Sequence, residues 1–101
     1  MRRICSIDFC KAISRSELEK QISANPCNQK KTILDYLYSK PISAYASGVV
    51  FDVFQGKETE VPNAAREDDE YIWLSAAIYY FEHYNLILND DFVQHVLGRS
   101  I

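Results

Sequence analysis

The run Tyr71-Ile72-Trp73-Leu74-Ser75-Ala76-Ala77-Ile78-Tyr79-Tyr80-Phe81-Glu82-His83-Tyr84 constrains this chain more than any other part of it. Wound as a helix, it places Tyr71, Leu74, Ile78 and Phe81 on one side, Trp73, Ala77, Tyr80 and Tyr84 on the next, and Ile72, Ala76 and Tyr79 on a third. A helix that is apolar nearly all round has to be covered on every side. With 101 residues the chain has room for one compact domain, 1–101, so the remaining segments must wrap this one. Glu67-Asp68-Asp69-Glu70 come just before it, and carboxylates in a first turn meet the positive end of the helix dipole. The central aromatic helix is therefore predicted over about 68–84.

The segments around it have different periods. Ile4, Ile7 and Phe9 fit either a short strand or a helical turn, and we read them as helical. Ser14-x-x-Glu17 is a capping box with Ile13 and Leu18 as its hydrophobic staple, which predicts a helix over 15–24. Asn25-Pro26 opens a second helix over 26–38, with Ile33, Leu34, Leu37 and Tyr38 at helical spacing and Pro41 beyond its end. From Ile42 the residues become Val-, Phe-, Tyr- and Thr-rich, with Gly48 and Gly56 at the reversals, so a small antiparallel hairpin or meander is predicted over about 42–61. Residues 62–66 read as a loop. Asn85 suits a left-handed helix end, and Asn89 caps a last short helix that stops at Gly98. The expected fold class is α+β, mainly helical, with the hairpin packed on the central helix.

Charge divides the chain. Residues 1–40 carry a balance of +4 and residues 41–101 one of −7, for a net charge of −3. Such a split suggests two faces with different partners. Catalytic signatures are missing from the sequence. His83 and His95 are twelve positions apart, at no metal-ligand spacing, and Glu82-His83 are helix neighbours that cannot face each other. The serines lack a nucleophile elbow, and the three glycines are too dispersed to cradle a phosphate. Cys5, Cys10 and Cys27 fit neither a disulfide framework nor a zinc or redox motif and read as reduced thiols. No apolar run is long enough to span a membrane, and Asp8 and Lys11 arrive before a signal-peptide core can form. A non-enzymatic cytosolic protein without cofactor, metal or membrane partner is expected.

The segments 48–57, Asp69-Glu70-Tyr71-Ile72-Trp73 and Tyr79-Tyr80-Phe81-Glu82-His83-Tyr84-Asn85-Leu86 carry a resemblance covering residues 48–86. In size, acidity and lack of catalytic residues, the chain resembles the immunity proteins of contact-dependent growth inhibition systems, which bind and neutralise a toxin domain. The resemblance implies an immunity or antitoxin-like inhibitor and transfers no functional residue. From the charges themselves we expect an acidic face that docks on a basic toxin domain, with Glu58, Glu60, Glu67, Asp68, Asp69 and Glu70 steering the encounter and Asp52 and Phe54 as central contacts. A DNA-binding regulator using the basic N-terminal helices, and a self-associating structural protein, are the alternatives; nucleic acid is disfavoured by the low basic charge.

Overall fold

The computed structural model describes residues 2–11 and 13–99. In chain order the elements are β1 (Arg2–Arg3), α1 (Arg15–Glu19), α2 (Lys30–Ser39), β2 (Ile42–Asp52), β3 (Lys57–Glu67), β4 (Tyr71–Leu74), α3 (Ser75–Tyr84) and α4 (Asp90–Arg99). The strands form one mixed sheet in the order β1-β4-β3-β2, with β1 parallel to β4 and the other pairs antiparallel. At about 35% helix and 31% strand, the protein is α+β without being mainly helical, which corrects the expected balance.

The central helix of 68–84 is the largest correction. Its first half is strand β4: Ala65 pairs with Leu74, Arg66 with Trp73 and Glu67 with Ile72. Tyr71 and Trp73 are buried while Ile72 and Leu74 are half-buried, the two-residue alternation of a pleat. Aromatic and β-branched residues favour that surface. Helix α3 starts only at Ser75, whose hydroxyl donates to the Ala64 carbonyl at 3.2 Å and accepts the Ala64 N–H at 3.1 Å, pinning the strand-to-helix junction to β3. The hairpin, expected to end near 61, runs on through the predicted loop to Glu67. Pro62 is tolerated inside β3 because β4 pairs only with Ala65 to Glu67, and on the β2 side Val49 and Pro62 sit between two register shifts.

The N-terminal expectations hold in part. Ser14 caps α1 by accepting the Glu17 N–H at 3.2 Å and donating to the Glu17 carboxylate at 3.3 Å. The helix closes at Glu19 because the chain beyond it is drawn to the 85–87 segment, with Ile87 N–H on the Gln21 carbonyl and Ser23 N–H on the Asn85 carbonyl. Asn25-Pro26 does not open the second helix, which begins four residues later at Lys30. The helical reading of the first residues is replaced by strand β1 followed by turns that bury Ile4, Cys5 and Ile7. Asn85 is left-handed as expected, at φ 59°.

The core lies where α2 and α4 cover one sheet face. Tyr71 and Trp73 meet Phe92 of α4, the indole N–H of Trp73 donates to the Leu37 carbonyl of α2 at 3.2 Å, and Ile33, Leu18, Phe81 and Val96 complete the cluster. Helix α3 packs against β2, β3 and β4. No helix among the described residues is long and apolar enough to cross a membrane.

Candidate functional site

The eight residues expected to meet a partner do not share one face. Strand β3 carries Glu58 and Glu60 near its start and Glu67 at its end. Nine residues of strand separate Glu58 from Glu67, roughly 30 Å, comparable with the 39 × 31 × 21 Å extents of the molecule. The carboxylates therefore form two groups.

Asp52 and Asp68 are internal. Asp52 is wholly buried; its Oδ1 accepts the N–H groups of Phe54 at 2.9 Å and Gln55 at 3.0 Å, and its Oδ2 accepts the hydroxyls of Tyr79 and Tyr84, both at 2.6 Å. Burial pushes this carboxyl up, but the four donors outweigh it and hold the group below the usual range. Asp68 repeats the device. Its Oδ1 accepts the N–H groups of Glu70 and Tyr71, and its Oδ2 accepts the Tyr36 hydroxyl at 2.5 Å and meets His95 Nε2 at 2.8 Å. Here too burial is overcome by the hydrogen bonds, and the carboxyl lies well below the ordinary value. Neither aspartate reaches solvent well enough to touch a partner: the Asp68 side chain is only 2% exposed. The 67–70 quartet, read as the start of a helix, is the tight turn between β3 and β4. Of that turn, Glu67, Asp69 and Glu70 stay exposed, with Glu70 Oε2 3.8 Å from both Arg2 and His95. The ligand atoms of Asp68, Asp69 and His95 lie within 4.8 Å of one another, but four donors saturate Asp68, so a cation would have to displace Tyr36 or His95. Phe54 is half-buried, its ring tilted against Tyr84 at 4.8 Å and lying beneath the Arg15 guanidinium.

Of the other group, Glu60 lines a groove of about 370 Å³ between β3 and α3. Glu60, Val61 and Pro62 form the strand wall, Ser75, Ile78, Tyr79, Glu82 and His83 the helix wall, and Tyr38 with Arg66 closes one end. Tyr79, Glu82 and His83 share one helix face because three- and four-residue steps return to it, and the Tyr79 and His83 rings lie 4.6 Å apart. The Tyr38 hydroxyl donates to Glu82 at 2.9 Å. Partial burial, and then this carboxylate, push the Tyr38 phenol up to about 12. Arg66 turns its guanidinium to the end of α2, donating to the carbonyls of Lys40 at 2.5 Å and Tyr38 at 3.4 Å. Glu58 and Glu60 have no ion-pair partner among the described residues.

Two carboxylates among aromatic faces suit a cation. Nucleophilic chemistry is poorly served there: the Ser75 hydroxyl is committed to Ala64, and eight helical residues place it about 12 Å from His83, beyond hydrogen-bond reach. Sequence reasoning found Glu60 but missed Tyr38 and Glu82, which meet only through a contact 44 residues apart in sequence. The basic N-terminal half is largely occupied internally. Arg2 pairs with Asp91, Arg3 with Asp8, Arg15 with Glu19 and Lys31 with Asp35, while Lys30 donates to Asn85. Compared with known family models, curated proteins and solved structures, the chain matches none.

Proposed function

We propose that the chain is a non-enzymatic cytosolic binding protein, an immunity or antitoxin-like inhibitor that docks on a basic toxin domain by taking its Lys or Arg side chains into the β3–α3 groove. One observation carries the reading: Glu60 and Glu82, from different elements, line the same open groove with Tyr38, Tyr79 and His83. A cation seated there meets carboxylates and ring faces together. Glu67, Asp69 and Glu70, at the far end of β3, serve as a second, weaker group that raises the encounter rate without forming the seat. The DNA-binding alternative has less support, because Arg2, Arg3, Arg15 and Lys31 lie beside the protein's own acids and the whole chain carries a net charge of −3.

The test uses the protein encoded by the adjacent gene, whatever its sequence. It should be a basic toxin domain that binds the purified chain, and Glu60→Lys with Glu82→Lys should weaken the complex about 100-fold. Reversing Asp69 and Glu70 should act mainly on the association rate and its salt dependence. A complex that the groove reversals leave intact overturns the reading.

A further inference from the structure

We propose that the free edge of β2 is a self-association site at which two copies of this chain join their sheets antiparallel. Strand β2 pairs only with β3 and ends the sheet, so its other side presents unpaired backbone groups. From Ile42 to Phe51 it contains no charged residue and no proline, the two side-chain devices by which edge strands ordinarily resist pairing. Its pairing with β3 shifts register between Ile42 and Ala44, between Tyr45 and Val49 and between Val49 and Phe51; the second shift spans Gly48 at φ 86°, where Asn63 Nδ2 donates to the carbonyls of Ser47 at 3.1 Å and Val49 at 3.3 Å. The regular length available for pairing is therefore the short run Ala44 to Ala46, and Ser43 to Ser47 are all exposed.

What suits this edge is itself. A twofold axis near Tyr45 sets Ala44 opposite the second copy's Ala46, satisfies the outward N–H and C=O groups of this short run in both strands, and opposes no like charges. Both Tyr45 rings then lie on one face of the joined sheet, directly opposite each other as a cross-strand aromatic pair. Tyr45 is 72% exposed, more than any other large hydrophobic residue described. On the other face of the strand, which Ala44 and Ala46 share, runs a groove of about 410 Å³ lined also by Phe9, Ala65, Leu74 and Ala76. The charges fit as well: Lys40 precedes the strand, Glu58 and Glu60 lie toward the hairpin end, and an antiparallel arrangement points each lysine at the other copy's carboxylates. A tyrosine hides roughly 150–250 Å², and with the paired strand each copy hides on the order of 400 Å², below the ~800 Å² of a standard interface. The dimer is accordingly weak.

Sedimentation equilibrium of the full chain from about 10 µM to about 1 mM should show the mass rising from one chain toward two, with a midpoint on the order of 100 µM. Tyr45→Lys should raise the dissociation constant at least about tenfold, and Ala44→Lys should do the same from a neighbouring position. Circular dichroism checks that both variants stay folded. With Cys10→Ser and Cys27→Ser as background, Tyr45→Cys should give a covalent dimer on oxidation. A chain that stays monomeric throughout, or a dimer indifferent to both lysine substitutions, overturns the proposal. So does a monomer whose binding to the protein encoded by the adjacent gene is lost with Tyr45→Lys, since the edge would then take a partner's strand. Tyr45 and Ala44 lie outside the lining of the β3–α3 groove, so a loss of self-association leaves the groove reading to its own test at Glu60 and Glu82.

Discussion

The two turns that bracket β3 are closed by the same device with different donors. At the β2–β3 turn Asp52 gathers two backbone N–H groups on one oxygen and two tyrosine hydroxyls on the other. At the β3–β4 turn Asp68 gathers two backbone N–H groups, one tyrosine and one histidine. Asp52 interrupts an apolar run and Asp68 stands in an acidic one; both were expected to meet a partner, and both are structural. What separates them is where the donors come from. Tyr79 and Tyr84 belong to α3 alone, whereas Tyr36 and His95 belong to α2 and α4, so Asp52 ties the hairpin to one helix and Asp68 ties the sheet to two. A short carboxylate inside a turn organises backbone and tertiary contacts at once.

Removing each carboxylate tests the comparison most severely. Asp52→Ala strands two hydroxyls and two N–H groups in a buried place and should destabilise the protein by about 3 kcal/mol or more, measured by urea denaturation. Asp68→Ala should cost a similar amount or slightly less, because the half-exposed surroundings of its turn let water replace some partners. Equal and negligible losses would show that neither turn depends on its aspartate.

Acid should act on both turns in the same direction. Each carboxyl has a folded pKa below its unfolded value near 3.9, so the unfolded chain takes up protons first as pH falls. The resulting stability is complete above about pH 4 and is lost as pH drops through the depressed folded values. Denaturation midpoints measured from about pH 6 down to about pH 2 should fall steeply in the native protein. In Asp52→Asn and in Asp68→Asn that slope should be shallower, and shallower still in the double variant. The smallest effect concerns single donors. Tyr84→Phe and Tyr36→Phe each remove one hydroxyl and leave the carboxylate three partners, which should cost about 1 kcal/mol apiece, read from thermal unfolding. A much larger loss for Tyr36→Phe would mean that the two-helix tie is the more cooperative one.

How much of this was legible in the sequence depended on how local each signal was. The Ser14 cap and the left-handed Asn85 are written within four residues and came through, although the Glu17 carboxylate takes the Ser14 hydroxyl where a full capping box would take its N–H. The division of 71–84 into strand and helix was not legible, because the run from Tyr71 to Phe81 is apolar but for Ser75 and satisfies both a period of two and one of 3.6. Only pairing with β3 at residues 65–67 and with β1 at Arg2 and Arg3 selects the strand. The acidic quartet misled for a related reason: four carboxylates in a row look solvated, and nothing nearby shows that Tyr36 and His95 arrive to bury one of them. Glu60 was legible as an exposed acid, but the groove was not, since Tyr38 and Glu82 come from elements that meet only in the folded chain.

Tyr79 belongs to both halves of this account. Its hydroxyl holds Asp52 while its ring forms part of the groove wall beside His83. A wall anchored in this way has already given up its rotational freedom before any cation arrives, so little ordering remains to be done on binding. The same tether makes the groove answerable to the hairpin: loosening the turn at Asp52 would let the ring swing, and recognition would decline together with stability even though the altered residue never touches the ligand.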